Sequence, residues 1–237
     1  MKRRLHVAVH FAQSLDGRIA VTGHRTHLSS PEGVALAHRK RAEHDAVLVG
    51  SRTVRIDDPR LTVRACAGRD PLRVVLASTL DVRTDARILA PGAGVLVIGA
   101  EGRSTRRDID ALAAVGADVR LVPAGEDGLV SLPHALGALK DIGVRRLLVE
   151  GGSRILTAFL RSRLVDRVSI EITARWLGPQ GLTAIDARGQ PDHGPSLRLV
   201  DTHVVSVAGG FVISGSLACD EEAEEPRSGP RLAGAVR

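Results

Sequence analysis

The stretch RRLLVEGGSRIL, residues 145–156, decides the fold. Its first half is a short run of leucine and valine, so 145–151 reads as a strand covered on both faces. Gly151-Gly152 then breaks the run, and Ser153 to Arg163 carries a helical pattern. A buried strand feeding a helix through a tight turn is the unit of a parallel α/β sheet. Two glycines also let the backbone approach a ligand closely, and the free N–H groups of the helix's first turn then face it with the positive end of the macrodipole. Such a turn suits a phosphate or pyrophosphate, or it is simply a tight connection. It is not the GxGxxG fingerprint of a standard dinucleotide-binding domain. Glu150 stands at the carboxyl end of this strand, where ligands of open α/β sheets bind; serving the helix dipole is its alternative reading.

Working outward, the same alternation fills most of the chain. Runs at 5–12, 45–50, 72–78, 94–99, 119–123 and 166–172 read as further buried strands. Helices are expected over 31–43, where Ser29-Ser30 precede a first-turn proline, and over 105–115 and 132–142, each followed by a glycine suited to a left-handed cap. The last third differs: 197–209 and 210–218 meet at Gly209-Gly210 with no helix between them, a hairpin signal. The expected architecture is α/β, a mostly parallel central sheet with helices on both faces and a C-terminal antiparallel hairpin, in one domain over 1–218. From 219 to 237 the sequence is an acidic cluster followed by Pro and Gly without periodicity, read as a disordered tail.

Composition narrows the function. Of 237 residues, 43% are hydrophobic but only 2% aromatic, so the core is aliphatic and a base-stacking nucleic-acid platform is disfavoured. The net charge of +6 comes from 33 basic residues, nearly all arginine, scattered among 27 acids rather than gathered in a block. Such arginines suit phosphorylated small ligands better than a duplex. Two cysteines make no disulfide framework, and no Cys/His set has zinc spacing, so no metal is expected. No apolar run reaches the length of a membrane span and no signal peptide opens the chain, which points to the cytoplasm.

Two more segments carry chemistry. GSRTVRIDDPRLTVR, 50–64, reads as a turn-rich polar stretch setting Asp57-Asp58 and Pro59 among Arg52, Arg55, Arg60 and Arg64. It is either an Asx turn or a site for a phosphorylated, hydroxylated ligand. SLDGRIA, 14–20, holds a turn at Asp16-Gly17 just after the first strand.

In this order and spacing, SLDGRIA, RAEHDAVLVGSRTVRIDDPRLTVR (41–64) and LLVEGGSRIL (147–156) resemble the pyrimidine reductases of riboflavin biosynthesis. That family comprises the C-terminal reductase domain of the bifunctional deaminase/reductase and its stand-alone relatives. LVDRVSIEITARWLGPQG, 164–181, is similar to the family's strand into a Leu-Gly turn. The resemblance implies a dihydrofolate-reductase-like three-layer fold, a homodimer joined through the terminal strands or the region of Trp176, and NADPH-dependent reduction of a ribosylaminopyrimidine 5-phosphate to its ribitylamine. Ring-opened ribose C1′ would accept the hydride. Carried over by position, the substrate meets His10, Arg25, Arg41, Leu61, Arg64 and Glu150, with Arg41 and Arg64 as a guanidinium pair for the phosphate. The cofactor meets Ala12, His27, Thr53, Asp57, Ser78 and the turn residues Gly151, Gly152, Ser153, Arg154, Ile155, Leu156, Thr157 and Ala158, with Arg83 as candidate for the adenosine 2′-phosphate. Asp57 and Glu150 are the candidates for moving a proton.

Many members carry Lys where this chain has His10, an aromatic residue where it has His27, and Ser where it has Arg25. A neutral imidazole holds polar substrate atoms differently from an ammonium. The deaminase signature HxE…PCxxC is absent, so deamination is not expected of this chain. A sibling reductase acting on another pyrimidine, pterin or folate is the second reading. A catalytically silent nucleotide- or nucleic-acid-binding protein is the third.

Overall fold

The computed structural model describes residues 4–185 and 197–219. The tail expected from 219 onward lies outside the described residues apart from Cys219, which ends the last strand. In chain order the elements are β1 (His6–Ser14), β2 (Arg18–Val21), α1 (Pro31–Ala42), β3 (Ala46–Gly50), α2 (Ser51–Asp57) and β4 (Leu72–Leu76). A 3-10 turn (Arg87–Leu89), β5 (Val95–Ala100), α3 (Arg106–Ala114), β6 (Asp118–Val122), α4 (Leu132–Asp141) and β7 (Arg146–Gly151) follow. The chain closes with α5 (Ser153–Arg161), β8 (Arg167–Thr173), β9 (Gly181–Thr183), β10 (Leu197–Val207) and β11 (Gly210–Cys219).

Nine strands form one sheet in the order β10-β11-β8-β1-β7-β3-β4-β5-β6. Those from β8 to β6 are parallel, and β11 joins β8 and β10 antiparallel, as the hairpin signal implied. The helices end as their sequences require: Gly116 and Gly143 take positive φ of 83° and 92° just past α3 and α4. Thr105 and Asp108 form a capping box on α3, and Ser30 accepts the Gly33 N–H at the start of α1.

Alternation along the strands splits the core into two aliphatic layers. Val7, Val9, Leu48, Val74, Leu147 and Val149 face α4 and α5, where Leu139, Leu156 and Phe159 fill the layer. Val47, Val49, Val75, Val97 and Leu148 face the side of α2, α3 and the 3-10 turn. The same alternation sends His10 and Glu150 toward that second side. There α1 lies close to the sheet, because a Cβ on Gly33 would fall 2.1 Å from Glu171 Oε1 of β8.

Two expectations change. The stretch at 50–64 is not turn throughout: α2 occupies Ser51–Asp57, hidden in the sequence because Val54 alone is buried, so no apolar period marks it. The turn comes after it, where Asp58 adopts φ 43° and Pro59 stops the helix. A second, two-stranded sheet pairs β2 with β9. Asp16 ties that region together by accepting the N–H groups of Leu177 (3.1 Å) and Gly178 (2.8 Å), so the Asp16-Gly17 turn serves architecture.

Candidate active site

A cleft of about 900 Å³ opens at the carboxyl ends of β1, β3, β4 and β7, where ligands of parallel sheets bind. Its floor is built by a bulge. Leu48 pairs with Val149 but Val49 pairs with Gly151, so Glu150 is an extra residue in β7. His10 stands one residue past the Val9–Val149 pair on the neighbouring strand.

Glu150 meets Arg41 of α1 in a bidentate ion pair, Nε to Oε1 at 2.6 Å and Nη2 to Oε2 at 2.7 Å, with the side chains 12% and 13% exposed. Burial pushes the Glu150 carboxyl up, but the charge and hydrogen bonds of Arg41 outweigh it and hold the carboxyl below its ordinary value. Glu150 is therefore an anion at neutral pH. Arg41 departs from the expected phosphate pair: its fork is engaged by Glu150, and Nη1 donates to the Thr62 carbonyl at 3.1 Å. Arg64 instead stands with Arg60 and Arg87, whose charges, after burial and together with Arg41, lower its pKa. All three line the cleft. Buried Arg73 holds the segment that carries Arg87, donating to the carbonyls of Ile88 and Ala90 at 2.7 Å.

His10 is 5% exposed, and its Nδ1 lies 3.2 Å from the carbonyl and hydroxyl oxygens of Ser169. Burial lowers its pKa to about 4, against the pull of Glu150. The unfolded chain takes this proton near 6.5 while the native state refuses it until about pH 4. Native stability therefore falls as pH drops through that window, at about 1.4 kcal/mol per unit and roughly 3 kcal/mol in total. His10→Asn should flatten this limb in urea melts taken across the window; parallel limbs would refute the assignment.

The Gly151-Gly152 turn has the form of a phosphate seat. Gly151 adopts φ 114°, the Gly151–Gly152 peptide is cis, and the Thr53 hydroxyl accepts the Gly152 N–H at 2.8 Å. A Cβ on Gly152 would reach 3.0 Å from that hydroxyl, and one on Gly50 would come within 2.9 Å of Ile155. Ser153 opens α5 with its Oγ buried and without a partner among the described residues. An orphaned hydroxyl at a helix N-terminus, inside the cleft, fits an anionic group. Across the cleft, burial raises the Asp57 carboxyl, although Arg25 and His27 oppose this.

Of the residues named from sequence, His10, Ala12, Arg25, His27, Arg41, Thr53, Asp57, Leu61, Arg64, Ser78, Glu150, Gly152, Ser153, Arg154, Ile155, Leu156 and Ala158 all line the cleft. Gly151 and Thr157 support it from behind, Thr157 by donating to the Ser153 carbonyl at 2.7 Å. Arg83 is the exception. It lies outside the cleft in a bidentate pair with Asp85 at 2.6–2.9 Å, four residues short of the next wall arginine, Arg87. Sequence reading missed His38, Arg87, Arg103 and the 129–133 wall. Ser78 alone hinted at that wall, since its hydroxyl accepts the Val130 N–H at 3.0 Å.

The α/β sheet with this strand order, its glycine turn onto a helix N-terminus and the C-terminal hairpin define a fold of the dihydrofolate reductase type. Dihydrofolate reductase from Enterococcus faecalis superposes with a TM-score of 0.52 at 14% identity, over 91% of this chain and 97% of that one. RibD from Acinetobacter baumannii superposes more closely, TM-score 0.76 at 24% identity, over 91% of this chain and 58% of that one. The 2,5-diamino-6-ribosylamino-4(3H)-pyrimidinone 5′-phosphate reductase of Aquifex aeolicus is 32% identical over 172 residues, 70% of this chain and 75% of that one. The chain belongs to the RibD C-terminal domain family, whose profile matches residues 5–213.

Proposed function

We propose that the protein is an NADPH-dependent reductase of riboflavin biosynthesis that converts a ribosylaminopyrimidine 5-phosphate to the ribitylaminopyrimidine 5-phosphate. The observation that carries this reading is the cleft itself: an anionic Glu150 on its floor, an arginine cluster at one end and the glycine turn of β7–α5 at the other. Relatives named as the diamino-pyrimidinone phosphate reductase support it.

The turn residues Gly152 and Ser153 and the first N–H groups of α5 would hold the cofactor pyrophosphate, with Thr53 fixing the turn. Bound there, NADPH would supply the hydride that the sugar carbon accepts. Arg103 on the cleft wall replaces Arg83 as the cation for the adenosine 2′-phosphate. Arg64, with Arg60 beside it, takes the substrate's 5-phosphate. Glu150 accepts a hydrogen bond from an N–H or O–H of the opened ribosylamine and so orients C1′; held ionised by Arg41, it is a poor proton donor at rest. Asp57, whose carboxyl burial raises, is the better holder of a proton. His10, neutral, offers the substrate a ring nitrogen in place of an ammonium.

The protein acts as a cytoplasmic homodimer. β10, the outermost strand, exposes Val204 and Val205 at 61% each, and an edge of this length calls for a covering partner.

Turnover assays test the proposal. Reduced nicotinamide should be consumed with the phosphorylated ribosylaminopyrimidine, faster with NADPH than NADH. Consumption with a pterin or folate instead would favour the sibling reductase. Asp57→Asn should lower kcat by about 10²-fold and remove one limb of its pH profile; full activity across pH would rule out a proton role.

A further inference from the structure

Arg64 and Arg60 are carried by a segment that is neither helix nor strand, running from Pro59 to Ala65 after α2. Leu61 within it adopts φ 53°. A cationic strap of this kind presents its guanidinium reliably only if its backbone is pinned elsewhere. The pins are few. Asp70 accepts the Val63 N–H at 2.6 Å, and Arg41 donates to the Thr62 carbonyl at 3.1 Å. The remaining two converge on one atom: His38 Nδ1 accepts the Arg64 N–H at 2.6 Å and the Ala65 N–H at 3.1 Å.

Backbone amides only donate, so Nδ1 must be unprotonated and the ring's single proton sits on Nε2. His38 is buried on α1, one helical turn before Arg41, so a single helix face grips both the strap and Glu150. From the geometry we infer that His38 is a positioning residue that fixes Arg64 for the substrate phosphate, and that a second proton on its ring releases the strap. This rests on the reading of Arg64 as the phosphate ligand. The charged groups facing the imidazole are Arg41 on its own helix, Arg64 on the strap, Asp70 beyond it and Glu150 on β7. Burial and the two arginines hold the ring's pKa below its ordinary value, against the two carboxylates. An imidazolium would present an N–H to two amide donors and to Arg64, so hydrogen bonding and charge would both oppose the present arrangement.

Ribose 5-phosphate is the probe, titrated by calorimetry against the wild type, Arg64→Ala, His38→Leu and His38→Asn from neutral to acid pH. Asparagine places an amide oxygen where Nδ1 stands but cannot be protonated. His38→Leu should weaken binding about tenfold, the size of one or two lost hydrogen bonds, and raise KM for the phosphorylated substrate with little change in kcat. His38→Asn should bind as wild type at neutral pH and lose less affinity in acid, the phosphate's own titration being common to both. Binding by His38→Leu equal to wild type, where Arg64→Ala has lost it, overturns the inference and leaves the phosphate reading standing. Unimpaired binding by Arg64→Ala overturns the phosphate reading and the inference with it. Should His38→Leu fail to fold, the acid limb decides: a limb identical in His38→Asn and wild type overturns the inference.

Discussion

Replacing Arg41 by alanine is expected to destabilise the protein by about 3–5 kcal/mol, the range for stripping one partner from a buried ion pair. Glu150 is 12% exposed and has both carboxylate oxygens on the Arg41 fork. Without the guanidinium, burial is the largest influence left on its carboxyl, opposed by His10 and His38, and burial pushes the pKa upward. The carboxyl would take up a proton at higher pH than in the wild type, and the substrate would lose its anionic anchor along with the Thr62 contact that steadies the strap. The double variant Arg41→Met/Glu150→Leu separates the two effects: it removes both charges and should recover most of the stability while remaining inactive. Denaturant midpoints of the wild type, single and double variants measure this. A single variant as stable as wild type would mean that the pair is not energetically coupled.

Arg64→Ala should have the second large effect, and of a different kind. The Arg64 side chain contacts the Thr62 hydroxyl at the surface and supports no buried group, so stability should change little. Its value lies in charge-assisted hydrogen bonds to phosphate, worth about 1.5–3 kcal/mol. KM for the phosphorylated substrate should therefore rise roughly 10- to 100-fold while kcat holds, since binding remote from the reacting carbon is lost equally from ground and transition states. A substrate lacking the phosphate should bind wild type and variant alike. An unchanged KM would move the phosphate site to Arg60 and Arg87.

The contrast between these residues shows what the sequence made legible. Strands such as 46–50 and 95–100 stand out because burial on both faces demands a near-continuous aliphatic run, and the β7–α5 turn stands out because glycine tolerates its geometry. α2 lacked such a signature, with Val54 its single buried residue. The short β2–β9 pair, half-buried and joined across some 160 residues, left no period to read. Most candidate site residues were found through the family resemblance, and the cleft gathers nearly all of them. Their relations were not readable. Arg41 and Glu150 lie 109 positions apart, and nothing local marks that one fork is taken by the other. Arg83 looked as free as any surface arginine until Asp85, two residues on, claimed it. Nothing local marked His38: that its ring receives two amides depends on how the strap folds back onto α1.

On the proposed function, the cleft delivers hydride to the opened sugar and leaves the ring untouched. Isotope transfer decides this: the purified protein is turned over with cofactor deuterated at the reactive position of the nicotinamide, and the product is analysed by mass spectrometry and NMR. We expect a ribityl chain carrying one deuterium at C1′, with the phosphate retained. A product unlabelled at C1′, or labelled on the heterocycle, would contradict the assignment.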